Sequence, residues 1–281
     1  MKTILYATDY SQNSVSALRF ANQLAEKFSA KLIVMHVFDI PISLASPVSI
    51  SYMNKEKRRF VENRAMLNTF CSEHLGHSWE NSNIDCVVDE HGSVPNGILE
   101  KALAFDANLI VVGTKGASQI KEFFLGSTTK ALISKAPCPL LAVPANTNAI
   151  NLKKIVYATD FEQADIFAIN RLVKIAKKFD AEIRVLHITT QEEYAGEEQM
   201  EWFKEMLKEK VAYVKLEFDL IFSNTVFEEL IWHLEDTEAD LLVMLERKER
   251  TLYQKYIQGD KVIKMVKSIN VPLLSFNVGE L

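Results

Sequence analysis

MKTILYATDYSQNSVSALRFANQLAEKFSAKLIVMHV, residues Met1 to Val37, decides the architecture because the chain contains it twice. LKKIVYATDFEQADIFAINRLVKIAKKFDAEIRVLHI, Leu152 to Ile188, aligns with it without a gap. Ile4, Tyr6, Ala7, Thr8, Asp9, Ala17, Ala25, Phe28, Val34 and His36 each meet the same residue 151 positions later. The agreement continues downstream, where ANLIVV from Ala107 matches ADLLVM from Ala239 and APCPLLAV from Ala136 matches INVPLLSF from Ile269. A repeat of this length marks one domain used twice.

Within each copy, short apolar runs alternate with helical periodicity. ILYAT and KLIVMHV are rich in Val, Ile and Leu and apolar on successive residues, the pattern of a parallel strand covered on both faces. Between them Val15, Leu18, Ala21, Leu24, Ala25 and Phe28 recur at spacings of three and four, one face of an amphipathic helix. A charged helix over Lys55 to His74, a strand IDCVV, a helix opened by Pro95, a strand ANLIVV, a helix TTKALISK and a strand PLLAV complete the first copy. Strands separated by helices predict a parallel sheet with right-handed crossovers. The fold class is therefore α/β: two tandem Rossmann-like domains, 1–146 and 150–281, each a sheet of about five strands flanked by helices. PANTNAINLKK, poor in apolar period and rich in turn formers, marks the junction. Pro41 to Met53 is a longer irregular insertion, readable as a lid over the sheet's rim or as a surface loop.

Composition narrows the function classes. The 281 residues are 48% apolar and 25% charged, as in a globular protein able to bury its own cores. A formal charge of −5 argues against a large cationic face for nucleic acid. Cys71, Cys86 and Cys138 are odd in number and far apart, which indicates neither a disulfide framework nor a CxxC site and reads as three small buried hydrophobes. The N-terminus turns polar at Thr8 and Asp9, too soon for a signal peptide, and no segment approaches about 18 consecutive apolar residues. These features predict a cytoplasmic protein without a membrane span.

Glycine is scarce, nine in all, yet three stand in VVGTKGASQIKEFFLGSTTK: Gly113, Gly116 and Gly126. Glycine after a strand permits a positive φ or the approach of a phosphate where a Cβ would intrude. Gly126 and Ser127 to Thr129 open a predicted helix, so their amide hydrogens lack intrahelical partners and sit at the positive end of its dipole. That arrangement suits a phosphate chain, with the hydroxyls of Ser127, Thr128 and Thr129 as further donors or as ligands to a phosphate-bound metal. Thr8 and Asp9 close the first predicted strand, Val37 the second and Gly113 the fourth, so all fall on one rim, where such sheets bind ligands. The alternative reading is that the glycines form turns and the hydroxyls cap a helix.

Gly113-x-x-Gly116-x9-Gly126-Ser127, with ANLIVVGTKG before it, LGSTTKALISKAPCPLLAVP after it and ILYATDYS at the start, resembles the universal stress protein family in its ATP-binding branch. Ala7 stands where that family commonly has proline. The resemblance spans both halves and implies an adenine nucleotide alpha hydrolase-like fold and ATP, with or without Mg2+, as ligand. It implies that Ala7, Thr8 and Asp9 lie by the ribose and adenine and that the backbone of Val37 meets the adenine edge. It further implies that Gly113, Thr114, Lys115 and Gly116 run along ribose and phosphates, and that Gly126, Ser127, Thr128 and Thr129 hold the phosphates. Family domains pair through their last strands, which implies internal pairing of the two copies and leaves homodimerisation and protein partners open.

The second copy departs from this pattern. Leu245 stands at the place of Gly113, Lys248 at that of Gly116, and Gly259 is followed by Asp260, so no phosphate site is expected there. The first 150 residues carry +1 and the remainder −6. Asp160, the counterpart of Asp9, then reads as a turn or capping residue. No base for in-line attack and no GxxxxGK[ST] loop is present, so the expected role is an ATP-binding regulator or sensor with at most slow hydrolysis. A nucleotide-independent scaffold is the alternative.

Overall fold

The computed structural model describes residues 1–39, 50–76, 79, 82–114, 126–147, 151–190, 196–246 and 261–277, with backbone alone at 50–55 and 196. They divide into two compact units, Met1–Ala149 and Ile150–Leu281.

Unit one runs β1 (Thr3–Ala7), α1 (Val15–Phe28), β2 (Lys31–Phe38), α2 (Ile50–Leu75), β3 (Ile84–Glu90), α3 (Val94–Ala104), β4 (Leu109–Gly113), α4 (Ser127–Lys135) and β5 (Leu140–Val143). All its strand pairs are parallel, in the order β3-β2-β1-β4-β5. Ile4, Leu5, Tyr6, Ile110 and Val111 are fully buried, as a strand sandwiched between helices requires. The charged helix starts earlier than its pattern suggests: Ile50 to Met53, read as insertion, form the first turn of α2. The rest of that insertion, 41–49, lies outside the described residues.

Unit two runs β6 (Lys154–Ala158), α5 (Gln163–Phe179), β7 (Glu182–Thr189), α6 (Gly196–Lys210), β8 (Leu216–Phe222), α7 (Val226–Asp236), β9 (Leu241–Glu246), α8 (Lys261–Ser268) and β10 (Leu273–Asn277). Its order, β8-β7-β6-β9-β10, is the same topology, again all parallel.

The repeat extends to backbone details that composition does not show. Left-handed φ angles near 50° occur at Ser29 and Asp106 in unit one and at their counterparts Asp180 and Glu238 in unit two. Each ends a helix, and the next amide reaches back across the turn: Ala30 N–H to Ala25 O, Ala107 to Ala102, Ala181 to Ala176 and Ala239 to Leu234, all 2.8–3.0 Å. Glycine is the usual residue for such a C-terminal turn. This chain makes all four without it.

Candidate functional site

Strand order reverses between β1 and β4, so the crevice past their carboxyl ends is the switch point where open α/β sheets bind ligands. Thr8 is buried just beyond β1 and its N–H donates to Met35 O (2.9 Å). Asp9, next in the chain, is exposed and its Oδ1 accepts the Ser11 N–H (3.0 Å). Ala7 ends β1 half-buried, and Val37 is buried near the end of β2.

The backbone then turns through Tyr10 in the left-handed region (φ 62°), held by its N–H on Thr8 Oγ1 (3.0 Å). The Tyr10 ring stacks on His36 (centroids 4.2 Å apart). His36 Nδ1 lies 2.8 Å from Thr8 O and, facing an acceptor, carries the proton. Unit two repeats this with Phe161 (φ 58°), Thr159 and His187, whose Nδ1 lies 2.7 Å from Thr159 O. Each histidine thus holds the turn after the first strand of its unit, through the threonine carbonyl and the aromatic ring. Sequence periodicity missed Tyr10 entirely; the signal available was an aromatic one residue past ATD in both copies.

Beyond β4, Thr114 is buried, donates its N–H to Val143 O (3.0 Å) and accepts the Gly126 N–H on its carbonyl (3.3 Å). Thr129 Oγ1 donates to Gly113 O (3.0 Å). Two hydrogen bonds therefore pin the start of α4 to the end of β4. Gly126 occupies the N-cap with no side chain to cap the helix, and no acidic residue stands in the first turn. Its φ and ψ of −56° and 140° are open to any residue, so no positive φ calls for glycine here. The Thr129 hydroxyl spends its one proton on Gly113, so as a donor it holds the helix in place; Ser127 and Thr128 are the more exposed hydroxyls. Lys115 and Gly116 lie outside the described residues.

α3 closes in over β2 through Gly97, where a Cβ would meet His91 Cβ at 3.0 Å and Val37 Cγ1 at 3.1 Å. His91 itself makes a turn: its Nδ1 accepts the Ser93 N–H (2.9 Å), which leaves its proton on Nε2, 3.4 Å from Glu100.

The corresponding rim of unit two is a cavity of about 320 Å³ with a different lining. Leu245 fills the place of Gly113, beside Met244, Leu186, Ile188 and Phe227. Lys261 Nζ stands 3.8 Å from Asp160 Oδ2 and Lys264 Nζ lies 3.8 Å over the Phe227 ring. Asp160 thus has a cross-rim ion-pair partner beyond the turn role expected from sequence.

Two imidazoles, half-buried His36 and buried His233, give the fold an acid sensitivity. Burial holds His36 below its ordinary range against the pull of the Thr8 carbonyl and Asp9, and it does the same to His233 against Asp219. Folded protein then binds fewer protons than unfolded protein between the ordinary value, about 6.5, and the lower folded value. Stability is full above that window and declines as pH falls into it. The urea midpoint should hold level from slightly alkaline pH down to neutrality and drop below about 6.5, with a shallower drop in His233→Gln. A profile identical in the variant would remove His233 from the cause.

Two comparisons fix the relationship. The universal stress protein family model matches residues 1–144 and again 151–276. The chain belongs to the universal stress protein family. A Thermus aquaticus universal stress protein is 30% identical over 143 residues, 50% of this chain and 98% of its own length. A universal stress protein crystal structure from Archaeoglobus fulgidus superposes with a TM-score of 0.71 at 15% identity, over 98% of this chain and 96% of that one, which establishes the tandem fold. A universal stress protein solved in complex with cAMP matches 52% of this chain and 98% of its own at 21% identity and a TM-score of 0.39. Among the described residues, no helix is long and apolar enough to cross a membrane.

Proposed function

We propose that unit one binds ATP, with its phosphates at the start of α4, and that this universal stress protein acts as a nucleotide-dependent regulator through conformation and partners. One observation carries the reading. The uncapped, acid-free first turn of α4 is fastened to the switch point by the Gly126–Thr114 and Thr129–Gly113 hydrogen bonds. Amide donors fixed in advance and aimed from a positive dipole end suit an anion at little ordering cost. Asp9, Thr8 and Val37 border the same rim and serve the nucleoside end. Among the described residues no cluster of three His, Cys, Asp or Glu side chains offers a metal cage. Mg2+ would therefore come with the phosphates, Ser127 and Thr128 being the protein oxygens suited to it. The reading is of binding rather than turnover.

Unit two enters the proposal as the partner-facing or structural half. Its Leu245 and the Lys261–Asp160 pair occupy the rim that unit one leaves to glycine. Calorimetric titration of nucleotide-free chain with Mg-ATP should give one site per chain. Two sites would restore unit two to nucleotide binding, and none would leave a nucleotide-independent scaffold.

A further inference from the structure

Cys71 on α2 and Cys86 on β3 bring their sulfur atoms to 3.5 Å, within S–H···S hydrogen-bond distance. Neither is in a disulfide and both are buried; Cys138 is likewise buried and outside any disulfide. The scaffold does not demand sulfur there. Cys86 lies opposite Val34 in the β2–β3 register, and in unit two the matching partner of Val185 is Phe218. Sulfurs already in contact need only approach by about 1.5 Å to reach the disulfide bond length of about 2.05 Å, a shift that side-chain rotation can largely supply.

We propose that Cys71 and Cys86 form a dithiol oxidation site, which hydrogen peroxide or a small alkyl hydroperoxide converts into an intramolecular disulfide between α2 and β3. The Cys86 thiolate attacks a peroxide oxygen; the O–O bond breaks and the departing hydroxide or alkoxide takes up a proton. Cys86 is then a sulfenic acid. Cys71 gives up its proton and attacks the Cys86 sulfur, the S–O bond breaks and water leaves. The dithiol has lost two electrons and two protons, and the peroxide has been reduced to water, or to water and an alcohol.

Either thiol can donate across the contact; with Cys71 as the donor, its S–H and the Arg64 charge favour the Cys86 thiolate against burial and Asp85, so the Cys86 pKa is lowered while that of Cys71 is raised, and Cys86 takes the first step. Burial favours a small neutral oxidant over a bulky charged disulfide. The element being tied is the one that covers the rim turn, since α2 accepts the Tyr10 hydroxyl on Asn63 O (3.1 Å) and sets Phe70 edge-on to the Tyr10 ring.

The test treats the reduced full-length chain with graded hydrogen peroxide, blocks remaining thiols with N-ethylmaleimide in denaturant, and maps the digest by mass spectrometry without reductant. One cross-linked peptide pair holding Cys71 and Cys86 should appear, two hydrogens lighter than its reduced halves, with Cys138 still alkylated. Accessible thiols in denaturant should fall from three to one. In Cys71→Ala the cross-link should vanish and dimedone should trap sulfenic acid on Cys86. Equal oxidation of Cys138, cross-links between chains, sulfinic acid on Cys86 beside an intact Cys71, or no oxidation would each overturn the proposal. The wild-type map involves no substitution and decides the matter even if the variant misfolds.

Discussion

Gly126→Asp is expected to abolish Mg-ATP binding, an affinity loss of at least about 100-fold or ~2.7 kcal/mol, while the chain stays folded. The backbone at Gly126 (φ −56°, ψ 140°) suits any residue, so no strain is introduced. Aspartate is also a favoured N-cap and would bond the first-turn amides itself, which supports the helix. It would thereby take the donors offered to a phosphate and place a negative charge beside it. Gly126→Leu separates space from charge: it fills the site without capping the helix, and should also lose binding with little change in unfolding temperature. Calorimetry and a thermal melt on the same preparations read both quantities. Undiminished affinity in both variants would remove the start of α4 from the phosphate site.

The second large effect is expected on stability, at Asp165. This carboxylate is completely buried and accepts the hydroxyls of Tyr157 (2.7 Å) and Thr159 (2.9 Å), and it takes the Glu162 N–H (3.0 Å) to complete a capping box at the start of α5. Asp165→Ala removes the carboxylate that accepts from all three donors, two of them in the core, and should destabilise unit two by about 3–5 kcal/mol. Its counterpart in unit one is Ser14, where the Tyr6 hydroxyl bonds the backbone carbonyl (2.8 Å), which alanine would keep, while the side-chain hydroxyl pairs with Thr8 Oγ1 (3.0 Å) and donates to Ser11 O (2.7 Å). Ser14→Ala, which removes two neutral side-chain bonds and leaves the Tyr6 bond intact, should therefore cost only about 1–2 kcal/mol. Urea unfolding followed in each unit tests the contrast; equal losses at the two positions would show that the carboxylate is not the organising group.

These two residues show where the sequence could be read and where it could not. The alternation of strand and helix, the duplication and the α/β class followed from local periodicity, and the spaced glycines with ILYATDYS carried the resemblance to the universal stress protein family. Such patterns report which face of an element is buried, and that property belongs to each segment alone. Asp9, Val37 and Gly113 also fall on one rim by sequence alone, because each closes a strand of a parallel sheet. Local pattern did not show that Thr129 is committed to Gly113, that Asp165 replaces Ser14 as the centre of a buried network, or that α2 begins at Ile50.

What the sequence by itself determined is the order of elements and the rim on which their carboxyl ends gather, because apolar period and topology rules act through neighbours in the chain. Only the tertiary structure decided which side chains meet across that order. Tyr10 finds His36 and Phe70, Lys261 finds Asp160, and Cys71 finds Cys86 at 3.5 Å. Such meetings depend on how helices settle on the sheet to close-pack their faces, a balance of many small contacts that no single segment encodes.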